Sequence, residues 1–129
     1  MEKNRVSRWV AFSLALAASS SAMAATAPQS VHAEIEALFK RMQSAGCQFN
    51  RNSSWYSATE AQEHLSKKLA YFEERGAIKT TEDFITVAAT KTSLSGKQYL
   101  VHCAGMGPTE SNVWMQEQLK AVRSARPVP

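Results

Sequence analysis

The sequence predicts a small α+β domain in which about four helices cover a two-stranded antiparallel ribbon tied by one disulfide. Apolar residues recur at helical spacing in four segments, which predicts the helices. Two other segments, bounded by turn residues, are too short for helices and predict strands. The only two cysteines, Cys47 and Cys103, lie at opposite ends of these strands. A bridge between the start of one strand and the end of the other requires antiparallel neighbours.

The first 24 residues have the pattern of an export signal. A basic start is followed by a short apolar run at 10–18, and small residues lead to an A-x-A site ending at Ala24. The apolar run is far shorter than the roughly 20 residues of a membrane-spanning helix. We therefore expect residues 1–24 to be a cleaved signal peptide, with an uncleaved anchor as the less favoured alternative. Residues 25–129 are then one exported domain without a membrane span.

The charge of this domain argues against nucleic acid as a partner. Three basic residues and one acidic residue lie in 1–24, so the formal net charge falls from +4 for the whole chain to +2 for residues 25–129. A charge this small, with no basic run interleaved with aromatic residues, is not typical of nucleic-acid-binding proteins.

Capping patterns place the elements along the chain. The sequence S-A-T-E at 57–60 fits a capping box, so Ser57 begins the clearest helix and Gly76 ends it. Thr80 or Thr81 caps a shorter helix. The other predicted helices span about 31–44, with Ser30 as N-cap, and 109–123; the predicted strands span 47–52 and 98–103, and residues 126–129 are expected to fray.

The cysteine pair fixes the register of the ribbon. An even pair in an exported chain favours an oxidised bridge, and closing a loop of about 57 residues would stabilise the fold by roughly 4 kcal/mol at most. With the cysteines opposed, Arg51 lies opposite Tyr99. The inward face, which the helices must cover, is formed by Cys47, Phe49, Val101 and Cys103.

Several catalytic and cofactor patterns are incomplete. His102 adjoins Cys103, but neighbouring strand residues point to opposite faces, so the imidazole cannot activate the thiol. The two cysteines and three histidines lack the spacing of zinc ligands. Gly105 and Gly107 resemble half of a dinucleotide fingerprint, but Glu110 takes the third glycine position and would repel phosphate. The sequence predicts neither a metal nor a cofactor.

A set of polar residues is predicted at one end of the ribbon. Arg51 lies beside Tyr99 there, the serine-rich loop at 93–97 leads to the same end, and His64 and Lys68 are one helical turn apart. The candidate binding residues are Arg51, Asn52, Tyr56, His64, Lys68, Ser93, Ser95 and Tyr99. A basic and aromatic patch of this kind suits a small anionic or sugar-like ligand, or a partner protein. The plainer interpretation is solvated loop and helix surface.

Four motifs resemble the small YfeK-type periplasmic proteins of proteobacteria, a family of unknown function. They read G-C-Q-F-N-R-N at 46–52, A-x-x-H-L-x-x-K at 61–68, T-x-E-x-F-I at 80–85 and S-x-S-G-K-x-Y at 93–99. The resemblance covers most of residues 25–129 and implies a periplasmic location, where glycosylation of the N-S-S sequence at 52–54 is not expected. It carries over no catalytic residue, but its recurring polar positions are Arg51, Asn52, His64, Lys68, Ser93, Ser95 and Tyr99.

The sequence also departs from that family. Ser53 stands where the family commonly has glycine, which implies a looser turn, and Gln98 stands where a proline often precedes the tyrosine. The cysteine pair is not general in the family, so the predicted bridge rests on this sequence alone.

These observations favour a non-enzymatic binding or interaction module of the cell envelope, because no activated nucleophile, metal set or acid pair is evident. One alternative is a small hydrolase or transferase acting on an envelope substrate, with Ser93 or Ser95 near His64. A purely structural envelope stress protein is the other.

Overall fold

A computed structural model describes residues 27–125; the predicted signal peptide, 1–24, and the predicted frayed tail, 126–129, lie outside these residues. The four helices are α1 (Gln29–Ser44), α2 (Ala58–Glu74), α3 (Thr81–Ala88) and α4 (Ser111–Ser124). The four strands are β1 (Gln48–Arg51), β2 (Ser54–Tyr56), β3 (Leu100–His102) and β4 (Thr109–Glu110). The predicted α+β class and its helical majority are confirmed.

The sheet has four strands, so the predicted two-stranded ribbon is wrong in strand number. The strands are ordered β2-β1-β3-β4, and all neighbours are antiparallel. The central pair, β1 and β3, is the predicted ribbon. Each of its strands pairs on the outside with a strand of only two or three residues. Strands this short are not long enough to show alternation in the sequence.

A tight turn at Asn52 and Ser53 creates the β1–β2 hairpin. Both residues have positive φ, 50° at Asn52 and 69° at Ser53, and the flanking residues Arg51 and Ser54 are paired. Positive φ at both central positions defines a type I′ turn, whose usual sequence is Asn-Gly. Because serine stands in the second position, where glycine is usual, the sequence did not predict this hairpin. Ser53 also has a β-carbon, which makes its positive φ unfavourable.

The predicted bridge and register are confirmed. Cys47 and Cys103 form a disulfide with Cα atoms 4.1 Å apart, and Phe49 lies opposite Val101. The β1–β3 pairing ends at Asn50 and Leu100, and the next residues, Arg51 and Tyr99, border the same clefts at that end of the ribbon. The inward side chains of the ribbon are buried and His102 is exposed, as the alternation requires.

The core lies between one face of the sheet and the helices. Helix α1 packs against the other three helices, α2 also contacts β1, and α4 contacts β3 and β4. Phe49 packs edge-on against Trp114 of α4, with ring centroids 5.9 Å apart, which joins the sheet to the helical layer. Among residues 27–125, no helix is both long enough and apolar enough to cross a membrane.

Glu34 of α1 is buried in this core, although it is a charged residue. Its carboxylate accepts hydrogen bonds from the Thr81 hydroxyl at 2.6 Å and from the Arg123 guanidinium at 2.9 and 3.2 Å. These partners begin α3 and end α4. The buried charge is therefore compensated by groups that are remote in sequence.

Two helix starts differ from the sequence prediction. Helix α1 begins at Gln29 after Pro28, so Ser30 lies inside the helix and does not cap it. The Ser57 hydroxyl does accept from the Glu60 amide, at 3.2 Å, but the returning contact of the predicted capping box is not formed. The complete capping box is at α3, between Thr80 and Asp83.

Replacing Ser53 with glycine should stabilise the protein by up to about 1 kcal/mol, because glycine removes the β-carbon from a residue at positive φ. The measurement is the urea midpoint of unfolding. Ser54→Gly is the matched control, since Ser54 lies in β2 and glycine there should lower the midpoint. A Ser53→Gly midpoint that falls as the control does would contradict the turn assignment.

Candidate functional site

The candidate site lies where α2, the end of β1 and the segment before β3 meet. Arg51 is the last residue of β1, and Tyr99 directly precedes β3. His64 and Lys68 extend from α2 one turn apart, beside the buried Leu65 of the same helix. The strand pairing supplies one wall of the site and α2 supplies the other.

The Tyr99 hydroxyl is at the centre of the site. The His64 Nε2 atom lies 3.1 Å from the hydroxyl oxygen, and the Lys68 Nζ atom also lies 3.1 Å from it. Lys68 Nζ donates a further hydrogen bond to the Lys91 carbonyl at 3.0 Å. Two of the three N–H donors of the ammonium are used in this way, and the third remains available to another acceptor.

Arg51 completes the cluster from the strand side. Its Nη1 atom lies 3.4 Å from His64 Nδ1, and its guanidinium carbon lies 5.0 Å from the centre of the Tyr56 ring. The guanidinium can only donate, so Nδ1 accepts, and the neutral imidazole carries its hydrogen on Nε2. The His64 N–H then donates to the Tyr99 oxygen.

This assignment leaves one strong donor without a partner. The Tyr99 oxygen accepts from His64 and from Lys68, which uses both of its lone pairs. The Tyr99 O–H has no acceptor among residues 27–125. The hydroxyl can therefore donate to an oxygen of a bound molecule.

Burial and positive charge perturb the ionisable groups of the site. Burial, followed by the Arg51, Lys68 and Lys67 charges, lowers the pKa of His64. Burial, followed by the Arg51 charge, lowers the pKa of Lys68. Burial raises the pKa of Tyr99, and Arg51 opposes that rise. All three shifts disfavour charge at this place, and the two lowered pKa values reflect burial first and neighbouring positive charge second.

No carboxylate neutralises the cluster within the described part of the chain. The ion pairs of residues 27–125 involve His32, Arg123 and their acidic partners, and neither Arg51 nor Lys68 takes part in one. Lys68 is only 9% exposed. A lysine this deeply buried is normally paired, so the site has the charge pattern of an anion-binding site.

Two adjoining clefts share this cluster as a common wall. The first, the aromatic cleft, is partly open to solvent and has a cavity volume of about 40 Å³; besides Arg51, His64 and Tyr99 it is bordered by Phe49, Tyr56 and Leu65. The second, the polar cleft, has a cavity volume of about 150 Å³; besides the same three residues it is bordered by Asn52, Lys68, Ser93 and the exposed Leu94. The cluster can therefore act on molecules in either cleft.

The eight predicted site residues come together at this end of the sheet. Seven of them border the two clefts, and Ser95 donates to the Asn52 side chain at 3.0 Å, which joins the hairpin turn to the 91–97 loop. Lys68 and Tyr99 are buried, so solvated surface does not describe them. The reason is that α2 packs directly over the end of the ribbon, a contact that the sequence did not specify.

The apolar part of the site was not predicted from the sequence. Phe49, Ala61 and Leu65 border the aromatic cleft together with the carboxylate residue Glu60. Ala61 precedes His64 by three residues and Leu65 by four on α2, and this spacing of one helical turn was the available signal. Within residues 27–125 no group of three or more histidine, cysteine or acidic side chains could hold a metal ion.

Comparison with known proteins gives a match to one family model. Residues 29–123 match the model of a family of unknown function (DUF5329). No curated protein matches the chain, and no solved structure does.

The pKa of His64 should rise toward its ordinary value of 6.5 when either neighbouring cation is removed. We expect both Arg51→Ala and Lys68→Met to raise it, and to leave it below 6.5 because burial is the largest cause of the shift. NMR titration of the imidazole measures this pKa, with Lys120→Ala, an exposed cation of α4, as the control that changes nothing. Wild-type His64 titrating at or above 6.5 would contradict the assignment.

The same shift makes stability depend on pH. The unfolded chain takes up a proton at His64 near pH 6.5, whereas the native protein does so only at a lower pH. The free energy of unfolding contributed by this residue is therefore present above pH 6.5 and falls as the pH drops toward the lowered pKa.

Proposed function

We infer that this chain, which belongs to the family of unknown function DUF5329, is a non-enzymatic binding module that holds an anionic group. The anion would lie against Arg51, Lys68 and the Tyr99 hydroxyl. These groups offer unused N–H and O–H donors, and two of them carry positive charge. The ligand is a small molecule or an envelope protein that presents such a group.

One observation carries this proposal: the half-buried Arg51 contacts His64 and the buried Lys68 contacts Tyr99 within one cluster, and neither has a carboxylate partner in the described residues. Elsewhere the same fold neutralises its buried charge, as Arg123 does for Glu34. The cost of leaving Arg51 and Lys68 uncompensated is offset if a bound anion pairs with them.

The alternative of a Ser/His hydrolase is less well supported. Ser93 and His64 border the same cleft, which is the observation in its favour. Both ring nitrogens of His64, however, already contact Arg51 and Tyr99. With Nδ1 accepting and Nε2 donating, the imidazole has no free lone pair to take a serine proton.

We further propose that the protein is exported to the periplasm and resembles the YfeK-type proteins of proteobacteria. The signal-like sequence at 1–24 and the Cys47–Cys103 disulfide support export, because disulfides persist in oxidising compartments. The intact mass of the protein recovered from a periplasmic extract should correspond to a chain that begins near Ala25. Recovery of the full-length chain from the cytoplasm would contradict export.

Removing the guanidinium should weaken anion binding by about tenfold to a hundredfold, because charge-assisted hydrogen bonds contribute about 1.5–3 kcal/mol. The measurement is isothermal titration calorimetry with inorganic phosphate on wild type and Arg51→Ala. Tyr99→Phe, which removes only the hydroxyl, should also lose affinity while the buried ring continues to fill its place.

Lys120→Ala is the control, since it removes one exposed positive charge from α4 and leaves the cluster intact. Its affinity for phosphate should remain within about twofold of wild type, because water and salt screen the interaction of an isolated surface charge with a distant anion. Equal losses in Lys120→Ala and Arg51→Ala, or no loss in Arg51→Ala, would show that the cluster does not bind the anion.

A further inference from the structure

We propose that this protein docks on an anionic lipid surface, with a lipid phosphate group in the polar cleft and Leu94 of the 91–97 loop inserted among the neighbouring lipids. This inference rests on the proposed function and names the source of the anion. It follows from the exposure of Leu94, from the apolar residues next to it and from the charge of the segments that meet there.

Leu94 lies at the tip of a loop that hydrogen bonds hold in place. Its side chain is fully exposed to solvent. The Gly96 amide donates to the Thr92 carbonyl at 3.1 Å, and the Ser95 hydroxyl donates to the Asn52 side chain of the hairpin turn at 3.0 Å. An exposed leucine adds nothing to the core, but it removes apolar surface from water when it enters a lipid layer.

Further apolar residues adjoin Leu94. Besides the polar cleft, Leu94 borders an open groove together with Phe72 of α2 and Val87 of α3. Phe72 and Val87 are only partly buried. Leu94 is therefore not an isolated exposed residue, and an apolar patch beside a cationic site is typical of proteins that bind at the lipid–water interface.

The charge around this loop is positive. Four cations belong to the loop or border the polar cleft: Arg51, Lys68, Lys91 and Lys97. The chain segments that supply the hairpin and the loop, 37–59 and 84–109, contain no acidic residue. Glu60 of α2 borders the aromatic cleft but not the polar one. An anionic lipid surface complements this charge, and each lysine or arginine near such a surface strengthens binding by about fivefold.

The polar cleft and the loop can be used by the same lipid layer. The cleft has a cavity volume of about 150 Å³, and Arg51, Lys68 and the Tyr99 hydroxyl offer unused donors to a phosphate oxygen. Ser93 and Leu94 of the loop border that cleft as well. A lipid whose phosphate enters the cleft therefore brings its neighbours against Leu94.

Co-sedimentation with vesicles tests the docking. Two compositions are compared: phosphatidylglycerol and phosphatidylcholine in equal amounts, and phosphatidylcholine alone. We expect binding to the anionic vesicles at low ionic strength, and binding at least about tenfold weaker to phosphatidylcholine, which has no net charge. Leu94→Ser should weaken binding to the anionic vesicles by about tenfold, because serine has little apolar surface to bury. Its urea midpoint should equal that of wild type, since Leu94 is fully exposed.

Met106→Ser is the matched control, because Met106 is also an exposed apolar loop residue but follows Cys103, at the other end of the ribbon. It should bind the anionic vesicles as wild type does. Phosphate binding that depends on Arg51, without binding to either vesicle, would overturn this inference and leave the proposed function standing.

Equal binding to the two compositions, or vesicle binding that either Leu94→Ser or Arg51→Ala leaves unchanged, would also overturn this inference. Failure of inorganic phosphate to bind, or phosphate binding insensitive to Arg51→Ala, would overturn the proposed function itself.

Discussion

The antiparallel pairing of β1 with β3 is the constraint on which the rest of this structure depends. The Cys47–Cys103 disulfide joins residues 56 positions apart and fixes one end of that pairing. The register then determines which residues come together at the other end, where Arg51 and Tyr99 directly follow the last pair, Asn50 and Leu100, and border the same clefts. Only three residue pairs join β1 to β3, and a ribbon this short would be unstable alone. The disulfide and the helices that cover the sheet are therefore needed to stabilise it.

Helix α2 converts that strand end into a site. It places His64 and Lys68 against the Tyr99 hydroxyl, so two side chains of one helix share a single oxygen atom from the segment before β3. Burial lowers the pKa of both residues, which means that the fold disfavours the positive charge it places there. An apolar side chain in place of Lys68 would avoid this cost. The arrangement is better explained by a bound anion than by stability.

The sequence was informative wherever one local pattern determined the structure. The cysteine positions predicted the register, the Ser57 oxygen does cap α2, and strand pairing with helical spacing brought Arg51, His64 and Tyr99 to one end. It was uninformative where the structure depends on remote contacts. The burial of Glu34 requires an ion pair with Arg123, 89 residues away. The low solvent exposure of Lys68 depends on how α2 packs against the sheet. Strands β2 and β4 are too short for periodicity, and the serine at position 53 obscured a turn that usually carries glycine.

The central claim is that an anion compensates the positive charge around Tyr99, and the ionisation of His64 tests it most directly. NMR titration of this imidazole in the absence and presence of saturating inorganic phosphate gives its pKa in the free and bound protein. A bound anion beside the cluster favours the imidazolium, so the account predicts a higher pKa of His64 with phosphate and proton uptake on binding. An unchanged or lower pKa of His64 at saturation would contradict it.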